Sequence, residues 1–153
     1  MHDARVELAS VAGARWVDYA GFHLGYRRTA RRPDELITRI ALARPAAGAR
    51  SFYRKVGPRR AQAISTVCVA GFAHWRDDVL EAAHVALGSV APTVVQARAA
   101  TAALVGRRRD EIAARAALDT DIAPIDDVRS TAAYRRRVAG NLLEQFVEET
   151  APR

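Results

Sequence analysis

Lysine is almost missing from this sequence: of 24 Lys and Arg residues only Lys55 is a lysine. A compact, flexible ammonium can reach a single acceptor where a planar guanidinium is too large, so the one lysine in an arginine-rich chain is the first residue to ask about. Cysteine is as scarce. Cys68, in the apolar run TVCVAGF, has no second cysteine to pair with, which excludes an internal disulfide and a cysteine-based metal cluster. With no basic residue beside it, it reads as a small buried apolar side chain rather than a reactive thiol. No apolar run approaches the length that crosses a bilayer, and the N-terminal MHDARVELAS lacks the basic start and apolar core of a signal peptide. The expectation is a cytoplasmic protein with no membrane contact. The glycines form neither G-x-G-x-x-G nor a Walker pattern, so the chain has no self-sufficient phosphate cradle. His2, His23, His74 and His84 are isolated, and Asp119, Asp121, Asp126 and Asp127 lack the glycine and terminal glutamate of a calcium loop, so no metal site is expected. No serine has a nucleophile-elbow context.

A chain of 153 residues, half of them apolar, is long enough to bury a core and has the size of one domain, or of one domain with a fragment of another. The net charge of +7 raises the question of nucleic acid. The arginines fall in short clusters: Arg27, Arg28, Arg31 and Arg32; Arg59 and Arg60; Arg107 to Arg109; Arg135 to Arg137. No aromatic ladder runs between them, and Asp34, Glu35, Asp110, Glu111, Asp126 and Asp127 lie close by. That pattern favours solvated faces and intersubunit contacts over a groove that tracks phosphates.

Along the chain, ARVELAS alternates apolar and polar residues and reads as a strand that turns at Ala12 to Arg15 and pairs back through Val17. A short helix is predicted around Asp18 to Leu24, broken by Gly25, then a strand from Leu36 to Leu42 and a linker at Ala43 to Gly48. Phe52 to Val56, Ala63 to Trp75 and Val79 to Leu87 read as three further strands, with Arg76-Asp77-Asp78 as a turn and His74 and His84 as ordinary strand residues. After Gly88 the chain turns helical. Thr93 and Gln96 have the spacing of a capping box for a helix ending at Gly106, a second helix is predicted from Arg109 to Leu118, and Ser130 or Asp127 caps a third. In that last helix Tyr134, Val138, Leu142 and Phe146 recur every four residues. Strands followed by helices predict an α+β layer pair.

Three segments, SFYRKVGPRRAQAIS, ALGSVAPTVVQAR and IDDVRSTAAYRRRVAGNLL, together with GYRRTARRPDELITRI upstream, resemble the C-terminal part of the FAD-binding (medium) subunit of molybdenum hydroxylases, the xanthine dehydrogenase and carbon monoxide dehydrogenase family. The resemblance implies a three-stranded antiparallel sheet packed on three helices over residues 47–153, like the CO dehydrogenase flavoprotein C-terminal domain, preceded in residues 1–46 by the end of an FAD-binding domain. It further implies a component of an oxidoreductase, in which FAD passes electrons from iron–sulfur clusters to an acceptor such as NAD, and not an activity of the isolated chain. By the same likeness Lys55 lies near the flavin and Ile37, with Leu36 beside it, lines it. The implied partners are the molybdopterin-binding and iron–sulfur subunits, the FAD-domain half whose glycine-rich segments have no counterpart here, and a second copy of the chain. Arg59 and Arg60 are expected to serve the structure rather than a partner. The alternative is a protein-interaction module derived from that domain and unable to bind FAD alone.

Overall fold

The computed structural model describes residues 2–59 and 61–152, so Arg60 lies outside the described residues. The chain divides into two compact units, His2–Pro45 and the remainder from Ala46.

In the first unit β1 (Arg5–Ser10) lies between β2 (Gly13–Asp18) and, in the chain's later part, β5 (Leu36–Ala41), all antiparallel. The alternation in RVELAS sends Val6 and Leu8 inward, where they meet Phe22 and the partly buried Val17. Glu7 points the other way and accepts a hydrogen bond from Thr38 Oγ1 at 2.7 Å. In place of the helix predicted over Asp18 to Leu24 there is one 3-10 turn, Tyr19–Gly21, followed by a small hairpin of β3 (His23–Gly25) and β4 (Arg28–Thr29). Only Phe22 of that segment is drawn into the core, so no helical stripe exists to bury, and the backbone of residues 23–25 pairs with 28–29 instead.

With so few buried side chains, an ion pair matters to this unit. Arg15 grips Glu35 with two hydrogen bonds of 2.7 and 2.9 Å, and the Arg32 backbone N–H adds a third at 2.6 Å. The Arg15 guanidinium first, and the Arg32 N–H second, hold the Glu35 carboxyl down at about 2. A glutamate in the unfolded chain titrates near ~4.3. The unfolded state therefore binds more protons in between, and the stabilisation is complete above about pH 5 and lost as pH falls towards about 2. Glu35→Gln is expected to lower the protection of residues 5–40 from hydrogen exchange at neutral pH and to flatten its acid dependence. An unchanged acid slope in the variant would show that Glu35 does not carry it.

The second unit is a four-stranded antiparallel sheet in the order β6 (Arg50–Val56), β7 (Val67–Arg76), β8 (Val79–Gly88), β9 (Val95–Gln96). Helices α1 (Arg98–Leu104), α2 (Arg115–Asp121) and α3 (Ala132–Thr150) complete it. The expected three strands are present, with β9 as a short addition. Strand β7 alternates: Val67, Val69, Gly71 and Ala73 are buried under α3, and Cys68, Ala70, Phe72 and His74 face the other way. Gly71 is a seat for the helix, since a Cβ there would come within 2.9 Å of the Phe146 ring and of the His84 carbonyl oxygen. Phe52 meets the same ring edge-on at 5.8 Å between centroids.

Several boundaries differ from those the sequence predicts, and tertiary backbone pairing is the common reason. Strand β7 begins at Val67, not Ala63, because residues 61–65 lie in a loop whose end is tied back by the Thr66 N–H to the Val56 carbonyl at 2.7 Å. Gln96 is in β9 and pairs with Ala86, so it cannot cap a helix at Thr93. Helix α1 starts at Arg98 instead, and the Asp121 carboxylate, brought over by α2, accepts from the Ala99 and Ala100 N–H groups at 3.0 and 2.9 Å. The helix predicted from Arg109 to Leu118 starts late: residues 109–111 form a 3-10 turn and α2 begins only at Arg115, because Gly106, Arg107 and Arg109 are bonded to the backbone of Leu80 and Asp78. Thr131, not Ser130 or Asp127, caps α3 by accepting from the Tyr134 N–H at 3.1 Å. At the far end the Arg50 guanidinium reaches the Thr150 and Ala151 carbonyls, which a cation satisfies well at a helix C-terminus.

Candidate functional site

Among the described residues, the sheet of the second unit has one face filled by helices and one free of them. On β6 the pleat turns Phe52 and Arg54 towards α3, where Arg54 meets Glu149 at 2.8 Å. Ser51, Tyr53 and Lys55 are thereby placed on the opposite face. Lys55 is exposed, and Tyr53 is 60% exposed. The register sets Lys55 in one row with Cys68 and Gly88, and Tyr53 in the next with Ala70 and Ala86. Those partners are all small, so the ammonium and the phenol ring stand beside a low, flat floor. A Cβ at Gly88 would come within 2.9 Å of the half-buried Cys68 Sγ, which shows how closely that floor is packed.

A second constellation stabilises the loops beside the sheet. Arg135, on the first turn of α3, is only 5% exposed. Its guanidinium donates to the Thr66 and Ser89 carbonyls at 2.9 Å each and grips the Asp127 carboxylate at 2.7 and 2.8 Å. Asp127 also accepts from the Arg129 and Ser130 N–H groups at 2.9 and 3.0 Å. The Arg129 N–H first, then the Arg135 guanidinium, keep the Asp127 carboxyl below the usual range. One arginine thus ties the start of β7, the end of β8 and the loop before α3.

The model of the CO dehydrogenase flavoprotein C-terminal domain family matches residues 52–150. The chain belongs to that family. It is 32% identical over 153 residues to the carbon monoxide dehydrogenase medium chain of Afipia carboxidovorans, a match covering 98% of this chain and 53% of the relative. Among solved structures, reconstituted CO dehydrogenase from Oligotropha carboxidovorans superposes with a TM-score of 0.87 at 31% identity, covering 97% of this chain and 52% of that one. CO dehydrogenase from Hydrogenophaga pseudoflava, in a form lacking the Mo-pyranopterin moiety, gives 0.87 at 29% identity with the same shares covered. This chain therefore spans about half the length of the relatives it matches.

Within this flavoprotein-domain fold the two residues singled out by sequence lie in different units. Lys55 belongs to the second. Ile37 is on β5 of the first, opposite Leu8, and is 50% exposed at the edge of its sheet, so it is not an ordinary core residue. Arg59 hydrogen-bonds within its own loop, to the Gln62 carbonyl at 2.7 Å, as a structural side chain does. Two further residues carry weak signals in the sequence. Tyr53 is two positions from Lys55 on a strand, and that spacing alone puts it on the same face. Arg135 is four positions before Ala139 and lies on the buried stripe that continues through Leu142 and Phe146, a periodic signal masked by its place in a run of three arginines.

Proposed function

We propose that this chain is the flavin-supporting C-terminal part of the FAD subunit of a molybdenum hydroxylase, with Lys55 and Ile37 as flavin-facing residues. The observation that carries the reading is the placement of the sole lysine, exposed, beside an exposed tyrosine on the helix-free face of the sheet. The donor set fits the ring system of FAD: an ammonium for its polar edge, an aromatic side chain and a flat floor for its plane. It offers nothing for the diphosphate, since the chain has no glycine-rich turn. FAD, when bound, supplies reversible electron storage, and a second polypeptide segment has to cradle its phosphates. In this reading residues 1–46 are the end of an FAD-binding domain, and the molybdopterin-binding and iron–sulfur subunits deliver the electrons that pass on to an acceptor such as NAD.

What this chain's residues do follows from their chemistry. An ammonium near the ring stabilises negative charge that develops on reduction and so raises the potential. Apolar side chains such as Ile37 and Leu36 keep water from the ring and hold it in plane. The test is to complete the chain with the FAD-domain half and its partner subunits and compare Lys55→Ala with the parent. The expected result is a flavin potential lower by on the order of 30 mV, about 1.4 kcal/mol for a two-electron couple, with the fold unchanged. An unaltered potential and unaltered flavin retention would remove Lys55 from the site.

The lack of a phosphate cradle also favours a second reading, a protein-interaction module that holds the partner subunits and no flavin of its own. A colourless assembly that forms with those subunits, and stays colourless after the FAD-domain half is supplied, would select it.

A further inference from the structure

The hairpin of β3 and β4 in the first unit carries a feature that the flavin reading does not use. We propose that this hairpin is a docking tip for a carboxylate-rich surface of another protein. Arg27, Arg28, Arg31 and Arg32 crowd one short stretch, against Asp34 and Glu35. Glu35 is already balanced by Arg15, which leaves the exposed Asp34 as the one acid of this stretch against its guanidinium groups. Beside them stand two apolar side chains, Leu24 at 60% and Tyr26 at 76% exposure. Tyrosine and arginine side by side are the residue types that most often carry the binding energy of protein interfaces.

The tip is also built stiff. At its base the rings of Phe22 and His23 meet edge-on at 5.0 Å, and those of Tyr19 and His23 at 5.3 Å. The Ala30 N–H closes the hairpin on the Phe22 carbonyl at 2.8 Å. Behind it, Arg31 donates to the Arg32 and Glu35 carbonyls at 3.1 and 2.7 Å, and Arg15 donates to the Ala30 carbonyl at 2.7 Å. Arg31 spends its donors on backbone, Arg15 divides its own between Ala30 and Glu35, and together they lock the loop. Arg28 forms no ion pair among the described residues, the Arg32 charge acts on Glu35, and Arg27 lies over the Tyr26 ring at 5.4 Å. A rigid display of this kind loses little entropy on binding, and its charge speeds encounter with an acidic partner.

A protein partner suits the tip better than a nucleic acid. One face of Tyr26 is taken by Arg27, which hinders base stacking, and exposed Leu24 has nothing to contact on a phosphate backbone.

The test uses the whole chain and two fluorescent probes: an acidic peptide of glutamate interspersed with leucine and serine, and polyuridylate of equal charge. Anisotropy should show saturable binding of the peptide that weakens about tenfold in Arg27→Glu/Arg28→Glu and about fivefold in Leu24→Ser/Tyr26→Ser, which leaves net charge unchanged. The control Arg107→Glu/Arg109→Glu makes the same change in charge at exposed positions of the other unit and should stay within about twofold. Arg27→Lys/Arg28→Lys should retain most of the affinity. Thermal melts establish that each variant is folded, and the Leu24/Tyr26 pair decides the matter if the charge reversal is not. Equal losses in hairpin and control, no saturable peptide binding, or tighter hairpin-dependent binding of polyuridylate would each overturn the proposal.

Discussion

Arg135→Ala is expected to destabilise the second unit by about 2–4 kcal/mol, the cost of leaving two carbonyls without their donor and of losing a charge-assisted grip on Asp127. In a chain of this length that lowers the Tm by on the order of 10 °C. The loss is large because the side chain is shut off from water and serves three segments at once. Without it the Thr66 and Ser89 carbonyls lose their donor and the Asp127 carboxylate loses its cation. Arg135→Lys is expected to recover only part, since an ammonium cannot grip both carboxylate oxygens while reaching two carbonyls. The measurement is a double-mutant cycle by urea unfolding. Asp127→Ala and Arg135→Ala together should cost clearly less than the sum of the two single losses, because Asp127→Ala alone strands the buried Arg135 charge. Additive losses below about 1 kcal/mol would mean that the network is incidental.

Phe146→Ala is expected to cost about 3–5 kcal/mol for a different reason, the cavity left in a close-packed layer. Phe146 has no exposed surface, its ring sits over Gly71, and Phe52 packs against its edge. The glycine beneath it has no Cβ with which to follow the retreating ring, so the site cannot collapse easily. Phe146→Leu should lose less than about 1.5 kcal/mol because most of the volume is kept. The signature is a lower urea midpoint with an unchanged slope. A loss in Phe146→Ala under about 1 kcal/mol would show that the helix does not rely on this seat.

These two residues also mark how far the fold can be read from sequence. Phe146 and Leu142 repeat at helical spacing, and Val67 to Trp75 alternate, so α3 and the central strands are visible in local periodicity. The capping box at Thr93 and the helix start at Arg109 are not realised. There the backbone is claimed by strand β8, whose demand for partners has no signature in the segments it recruits. Arg135 is the converse case. Its period is helical, but a cation on a buried stripe contradicts the usual rule, and only the convergence of two carbonyls and a carboxylate, 8 to 69 residues away, makes the burial affordable. Of the candidate site, Lys55 was legible as a compositional oddity and its face follows from the pleat. Tyr53 is legible by the same alternation.

The rarity of lysine has a practical corollary. Since Lys55 is the sole side-chain amine and is exposed, an acylating reagent has one side-chain target, and it lies on the helix-free face of the sheet. A dye attached there would report on whatever covers that face, be it a prosthetic group or another polypeptide, without the heterogeneous labelling that an ordinary lysine-rich surface produces.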